Sequence, residues 1–542
     1  MLTRLRVRNF KNLESLDIEL GQTVVFIGPN NSGKTTALQA LALWRSGLDA
    51  VSAQTGASWP GAPINRLTLT HTPVSDARHL WHGLDAESEA GLSIWVEGLG
   101  PIGAWTIGLD FHFSNRESIY CWPAIVPRNF RIPSSPPHED QALASKIAFL
   151  PPMSGIAAEE PELAAGRIDV LIGEGQTAQI LRNLCLRVLE HDPFAWNTIC
   201  VRMHSMFGIT LMPPLRSPTR GSITLTYEQR GHTFDIANAG RGLQQTLLLL
   251  AHLHANPGST LLLDEPDAHL EILRQRQIYN VLTECAAETS SQIIAASHSE
   301  VILNEAAARD VVIAFVGQPH RINRGSQVLK ALKDIGFDHY YQADLKGAVI
   351  YLEGATDLAI LRALAIKLDH PVAAFLEQPF VHYVANEATA VLHHFHGLRE
   401  ARPDLVGFAL FDRLDRGLPP SFALPVHCWR KYEIENYIAN RAVLRRFAET
   451  TGQGAAMEQA LDSVETAMRT FGSEAWSDDV KMSEQVLPAV FRNFAENLGL
   501  RNVVTKTDFH MLVAYLDPSE IDPEIVEVLD RLHATLQQAR PA

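Results

Sequence analysis

Three hydrophobic patterns follow one another along this chain, and each predicts a different element. Residues 1–20, MLTRLRVRNFKNLESLDIEL, alternate. Leu5 and Val7 fall on one side and Arg4, Arg6 and Arg8 on the other, the period-two mark of a half-buried strand. Short unbroken apolar runs form the second pattern: TVVFI (23–27), the run ending in LLLDEP (261–266), SQIIAAS (291–297), AVIYLEG (348–354), VHYVAN (381–386) and LVGFALFDRLD (405–415). Runs of this length predict strands buried on both faces of an α/β sheet. The third pattern, KTTALQALALW (34–44), spaces its apolar positions as an amphipathic helix does. Between residues 45 and 237 come many short strand-like runs (LSIWVEG, WTIGLDFHF, SITLTYEQ) broken by Trp, Pro and Gly, without a sustained heptad repeat. Residues 317–347 read as a connector with one helix, and residues 440–500 as helical.

The polar residues at the strand ends carry the candidate chemistry. FIGPNNSGKTT (26–36) fits GxxxxGK[ST] from Gly28 to Thr35, between a strand and a helix. In such a loop the backbone N–H groups of Gly28, Asn30, Asn31, Ser32, Gly33 and Thr36 can face phosphate oxygens. Lys34 reaches the outer phosphates, the Thr35 hydroxyl ligates Mg²⁺, and the helix turns its positive end to the anion. The chance alternative is a glycine-rich turn, and the strand and helix on either side argue against it. The strand ending in Asp264 and Glu265 predicts a second Mg²⁺ ligand and a carboxylate that orients and deprotonates the attacking water. The next strand ends at His298, where an imidazole can sense the γ-phosphate. A lone histidine is more often structural; the order of the three motifs argues for function.

A different set of acids follows. AVIYLEGATD ends a strand in Glu353 and starts a helix at Asp357, one turn on. A later strand ends in Asp412 and Asp415, and KYEIENYI supplies Glu433 and Glu435. Carboxylates at successive strand ends of an open α/β sheet can hold two Mg²⁺ ions for phosphodiester cleavage. Any one of these acids could instead cap a helix. Arg430, Lys431, Arg441, Arg445 and Arg446 could meet backbone phosphates or form a solvated face, and His393, His394 and His396 read as surface rather than metal ligands.

Composition narrows the class. The net charge of −15 excludes a histone-like basic binder, though not a local basic groove. Five cysteines include no CxxC pair, so neither a zinc ribbon nor a disulfide framework is indicated. The N-terminus lacks an apolar signal core, and no apolar window is long enough to span a membrane, so a cytoplasmic location without membrane attachment is expected.

The order phosphate loop, long insertion, LLLDEP, strand–Ser–His resembles ABC-type ATPases of the SMC/RecF/OLD branch, and RNFKN (8–12) resembles that branch's opening strand and turn. NAGRGLQQTLLLL (238–250) stands where the family's signature loop lies, without its usual Ser-Gly-Gly-Gln; Asn238, Gly240 and Gly242 could present N–H groups, and Gln244 or Gln245 a side chain. Asp267 and His269 stand at the D-loop position. Long coiled-coil arms are excluded. The second half resembles a TOPRIM domain, with Glu353 as its glutamate, LFDRLD as its acidic motif, and Lys506, with Lys481 as rival, as its late lysine. Asp412 and Asp415 are three apart where the family has Asp-x-Asp.

The whole resembles the OLD family of ATP-dependent endonucleases. The resemblance implies an α/β chain with an ABC-type P-loop ATPase domain (1–318), a linker (319–346), a Rossmann-like TOPRIM nuclease domain with a helical part (347–520) and a C-terminal tail (521–542). It implies ATP and Mg²⁺ or Mn²⁺ as cofactors and DNA as substrate, with catalysis by Glu265, His298, Glu353, Asp412 and Lys506. The metals would be held by Thr35, Asp264, Glu353, Asp357, Asp412, Asp415 and Glu435. It further implies a homodimer or higher even oligomer, room for an operon-encoded protein partner, and a role in anti-phage defence. The rival reading is an ATP-gated switch whose degenerate TOPRIM domain binds DNA or protein without cutting.

Overall fold

The computed structural model describes residues 1–54, 61–86, 91–124, 139–307, 309–316, 318–322, 335–414, 422–502 and 504–541. The chain forms two units, Met1–Lys333 and Asp334–Ala542.

In the first unit, the alternating segment makes β1 (Leu2–Phe10) and β2 (Leu13–Glu19), and the apolar run β3 (Thr23–Ile27) leads into α1 (Lys34–Ser52). The insertion contributes β4 (Ala62–Asn65), β5 (Leu92–Gly100), β6 (Gly103–Asn115), β7 (Ser118–Pro123) and β8 (Ile147–Leu150), then α2 (Leu181–His191) and α3 (Pro193–Phe207). After it come α4 (Arg241–Ala255), β9 (Thr260–Asp264), α5 (Ile272–Glu288), β10 (Gln292–Ser297), β11 (Val311–Ala314) and β12 (His320–Ile322). Two six-stranded sheets result. One is antiparallel, in the order β2-β1-β5-β6-β7-β4; the other runs β12-β11-β3-β10-β9-β8, parallel except for β12.

Alternation along the parallel strands explains why they read as solid apolar runs. Leu262, Ile294 and Phe26 face the core shared with α1 and the antiparallel sheet. Leu261, Leu263, Ile293 and Ala295 face the helices α2 to α5. Both faces are covered, so no position tolerates water. Gln292, buried at the base of β10, binds the two layers. Its Nε2 donates to the carbonyls of Leu2 and Gly21, both at 2.7 Å, and its Oε1 accepts from Leu2 N at 2.9 Å. Two of the three arginines of β1 make cross-strand pairs, Arg4 to Asp17 at 2.6 Å and Arg6 to Glu97 at 2.9 Å, and Arg8 is exposed. SITLTYEQ breaks into two strands of different small sheets, Ser222–Thr224 and Thr226–Gln229, around the buried Leu225.

The second unit opens with α6 (Phe337–Lys346), β13 (Ala348–Leu352), α7 (Ala355–Lys367), β14 (Val381–Tyr383), α8 (Ala388–Ala401), β15 (Val406–Phe411) and β16 (Val426–Cys428). The four strands form a parallel sheet in the order β14-β13-β15-β16. Helices α9 (Arg441–Glu449), α10 (Gly454–Thr470), α11 (Leu487–Asn497) and α12 (Pro523–Leu536) follow.

Two expected boundaries need correction. Residues 521–542 are no tail: Ile525, Val528, Leu529 and Leu532 of α12 lie in the core of the second unit, on one helical stripe. The expected linker, 319–346, supplies β12 at one sheet edge and α6, whose Tyr340 is buried. Among the described residues, no helix is long and apolar enough to cross a membrane.

Trp44 on α1 is fully buried, stacks on Trp105 of β6 with centroids 5.9 Å apart, and donates its indole N–H to the Ile107 carbonyl at 3.1 Å. It joins the phosphate-loop helix to the antiparallel sheet. Trp44→Ala is expected to cost about 3–5 kcal/mol, measured as a lowered urea midpoint of the first unit by far-UV circular dichroism.

Candidate nucleotide site and carboxylate centre

The first site sits at the carboxyl ends of β3, β9 and β10. Gly28 is required by close approach, because a Cβ there would lie 2.7 Å from the Phe315 carbonyl oxygen. Gly33 adopts φ 98°, and a Cβ would press on Leu13 at 2.9 Å. The loop thus turns tightly enough to close a ring around the Lys34 ammonium, which donates to the carbonyls of Gly28 at 2.9 Å and Pro29 at 2.6 Å. Burial lowers the Lys34 pKa, while Glu265, Asp264 and Asp267 act to raise it.

The Thr35 hydroxyl lies 3.0 Å from both Asp264 carboxylate oxygens. Burial pushes Asp264 up to about 6; the Thr35 hydrogen bond opposes this and the Glu265 charge adds to it. A hydroxyl and a desolvated carboxylate in contact are a hard-oxygen pair that fits Mg²⁺. Glu265, one step past the strand, takes φ 49°, a strained conformation for a non-glycine residue. Its carboxylate is 3.7 Å from His298 Nδ1, an ion-pair distance. The imidazole holds Glu265 below the usual carboxylate range, and Glu265 raises His298 in return. Both side chains keep one side to solvent, at 34% and 49% exposure, so a nucleotide can reach them.

Asp267 is buried, its Oδ1 has no partner among the described residues, and burial raises its pKa. The glutamines of the signature-like loop do not serve as anticipated. Gln244 is buried and donates to the Ile236 carbonyl at 3.0 Å, and Gln245 is buried beneath Pro266. Asn238 and Gly240 remain exposed, and Gly240 starts α4 without a side-chain cap, which leaves backbone N–H groups open.

The second site lies at the carboxyl ends of β13 and β15. Asn386, in the turn after β14, joins the two strand-end acids. Its Nδ2 donates to Glu353 Oε2 at 2.5 Å and faces Asp412 Oδ2 at 3.5 Å, and its Oδ1 accepts from the Asp412 backbone N–H at 3.0 Å. Glu353 and Asp412 are themselves in contact. Asp412 is pushed up by burial, then by Glu353; Glu353 is held down by its hydrogen bond from Asp412. With Glu353 half-buried and Asp412 buried in contact, ionising both at once is opposed by burial and by their like charge. Asp357 accepts from the Gly354 N–H at 2.8 Å, capping α7, and burial pushes it to about 6. Glu435 is buried, its Oε1 has no partner among the described residues, and burial pushes it to about 8. Glu433 instead accepts from the Ser483 hydroxyl at 2.9 Å.

Lys506 and Lys481 both bear on Glu353 and Glu433, but Lys481 is bound to Glu484 at 2.7 Å, whereas the Lys506 charge also acts on Asp357 and Glu435. Asp415 lies outside the described residues. Orphaned buried carboxylate oxygen and like-charged acids in contact fit a divalent cation, which would supply charge neutralisation and water activation, held by Glu353, Asp412, Asp357 and Glu435. Asn386 was not legible beforehand. It follows a strand as many turn asparagines do, and its φ of 61° is one that Asn tolerates.

The basic cluster, read as meeting backbone phosphates or forming a solvated face, is paired internally: Arg430 with Glu527, Lys431 with Asp478, Arg441 with Glu465 and Asp462, Arg445 with Glu449, Arg446 with Glu520. His394 is buried, contrary to its expected surface position; His393 and His396 are exposed.

A strand–glycine loop–helix, an Asp–Glu strand end and a trailing histidine on one parallel sheet define a P-loop ATPase. The family model described as "AAA domain, putative AbiEii toxin, Type IV TA system" matches residues 110–304, and that described as "AAA ATPase domain" matches residues 1–47. The OLD nuclease of Thermus scotoductus is 23% identical over 338 residues, covering 56% of this chain. The chain spans 59% of that relative's length. Among solved structures, the SMC head bound to the C-terminal winged-helix domain of ScpA is similar with a TM-score of 0.37 at 14% identity, covering 61% of this chain and 99% of that one. The SMC head of Thermotoga maritima has a TM-score of 0.34 at 14% identity, covering 59% and 99%. Over about half of its length the chain is similar to that OLD nuclease, and its first unit matches AAA-type ATPase family models.

Raised carboxyls make the metal-free second unit sensitive to pH. Asp357 and Glu435 bind protons more tightly folded than unfolded, so stability falls as pH rises from the unfolded values through about 6 and about 8. Each such group costs about 1.4 kcal/mol per pH unit inside its window. With EDTA present the Tm is expected to fall between pH 6 and 8. Mg²⁺ should raise Tm more at pH 8 than at pH 6, and Glu435→Gln should flatten the fall, all read by calorimetry.

Proposed function

We propose that this chain is an ATP-regulated, divalent-metal-dependent DNA endonuclease of the OLD type, with a TOPRIM-like second unit. The observation that carries the reading is the Glu353–Asn386–Asp412 constellation at parallel strand ends, with Lys506 acting on it, in a unit separate from the nucleotide site. Glu353 and Asp412 would hold the cation, usually Mg²⁺ or Mn²⁺, and Lys506 would steady the phosphate as charge builds on it. Water adds to phosphorus, the P–O ester bond breaks, and the leaving oxygen takes a proton. Because that reaction is downhill, ATP acts as a gate. At the other site Thr35 and Asp264 would hold Mg²⁺, Lys34 the outer phosphates, Glu265 the attacking water, and His298 would respond to loss of the γ-phosphate. A cytoplasmic effector of phage defence, alone or with an operon-encoded protein partner, is the biological role this reading carries; the efficiency of phage plating on cells with and without the chain measures it.

A second reading is favoured by one contact. The Asn386 amide lies against both acids, where a cation would neutralise them, as in a switch that binds DNA or protein without cutting. Plasmid cleavage separates the two. Under the nuclease reading, Mg²⁺ or Mn²⁺ supports nicking. Glu353→Ala and Asp412→Ala are expected to abolish it while ATP turnover persists. Glu265→Gln, which traps ATP, should cut differently from Lys34→Ala, which loses the phosphate contact. Binding of plasmid without nicking by the wild type at any metal concentration supports the switch.

The exposed Glu265 and His298 need a cover, and the one ATPase unit in this chain leaves the exposed Asn238–Gly240 turn of a second copy to supply it. A two-fold homodimer, or a higher even oligomer, follows. Light scattering of Glu265→Gln with ATP at micromolar concentration is expected to give an even multiple of the 59.9 kDa chain; a strictly monomeric mass refutes the shared site.

A further inference from the structure

The second unit holds a histidine cluster that the carboxylate centre does not use. His339 is on α6, His382 on β14 and His394 on α8, and one ring nitrogen from each lies within 4.8 Å of the others. His339 Nδ1 is 2.9 Å from His394 Nε2. The His382 ring stacks on His394 with centroids 3.9 Å apart and planes 11° apart. Nδ1 of the buried His394 faces the Tyr351 hydroxyl at 2.9 Å. Tyr351 lies opposite His382 in the β13–β14 register.

A hydrogen-bonded stack alone leaves part of this unexplained. One proton satisfies His339 and His394, yet His382 makes no hydrogen bond among the described residues although its nitrogen points into the same space. We propose that His339, His382 and His394 form a binding site for a divalent transition-metal ion of the zinc class, distinct from the carboxylate centre. Three imidazoles select such an ion, whereas Mg²⁺ prefers the oxygen ligands of the other site. The Tyr351 hydroxyl, accepting from His394 Nδ1–H, sets the tautomer that turns Nε2 to the metal. Zn–N bonds of about 2.0–2.1 Å put tetrahedral ligand atoms roughly 3.3 Å apart, so the His339–His394 contact opens by a few tenths of an ångström, and on binding the His382 ring turns out of its stack on His394 so that both lone pairs meet at the ion. Burial keeps the three rings neutral, the form that ligates. The ion would clamp α6, β14 and α8 together and so fix the turn that presents Asn386 to Glu353 and Asp412.

The test uses the full chain with Glu353→Gln and Asp412→Asn, which silences the carboxylate centre. After EDTA treatment, Zn²⁺ is titrated by calorimetry and Co²⁺ by its visible absorption, with Mg²⁺ in excess. One equivalent of tight Zn²⁺ per chain, a tetrahedral Co²⁺ spectrum and a metal-dependent rise in Tm are expected. His382→Ala, on an edge strand, should weaken binding at least about a hundredfold, and Tyr351→Phe about 10–100-fold, with circular dichroism unchanged. Failure of the folded parent to bind Zn²⁺ tighter than micromolar, or unchanged binding in His382→Ala, overturns the site.

Discussion

Everything in the first unit depends on the parallel alignment of β3, β10 and β9. Ser297 pairs in register with Ile27 and Asp264 with Ala296, so the three strands end at the same edge. Whatever follows each strand is delivered to one place: the phosphate loop after β3, His298 after β10, Glu265 after β9. Residues more than two hundred positions apart in sequence thereby come into contact, as the Thr35 hydroxyl and Asp264 do at 3.0 Å. A slip of one residue would turn every alternate side chain from one covered face to the other and destroy both cores at once. The alignment is therefore held by packing on both faces, and by Gln292 at the opposite ends of the strands.

The second unit uses the same geometry for a different charge problem. Its strand ends gather acids in a buried place, and burial opposes their ionisation. A proton between Glu353 and Asp412, the Asn386 amide and the Lys506 charge reduce that cost, and a divalent cation would remove it. Acids kept at a cost to stability, without neutralising arginines beside them, are characteristic of sites that bind cations. Arg441 and Arg446 are tied to acidic partners in the helical part of this unit.

Left-handed backbone at non-glycine residues occurs at both centres as well as in other turns. Glu265 and Asn386 both adopt it, and each presents a side chain at a strand end. Neighbouring Ala385 shares that conformation at φ 43°, at a cost of about 1–2 kcal/mol that surrounding contacts must offset. A metal ion among His339, His382 and His394 would brace the strand leading into that turn.

What the sequence determined by itself is local. The phosphate loop, the apolar strands and the acids that end them are written in consecutive residues, because a glycine-dependent turn and a strand buried on both faces each impose residue types at fixed spacing. Resemblance to a known family added the order of the parts. The tertiary structure decided what depends on neighbours remote in sequence. It buried Gln244 and Gln245, which looked available to a partner, because α4 packs the first against the loop preceding it and the second against Pro266 after β9. It paired Arg430, Lys431, Arg441 and Arg446 with acids remote in sequence. It placed Glu484 beside Lys481. It also brought Asn386 to the acids and His339, His382 and His394 to each other. A turn asparagine and three scattered histidines have no periodicity to betray them; only the pairing of β13 with β14, and the helices packed over it, makes them neighbours.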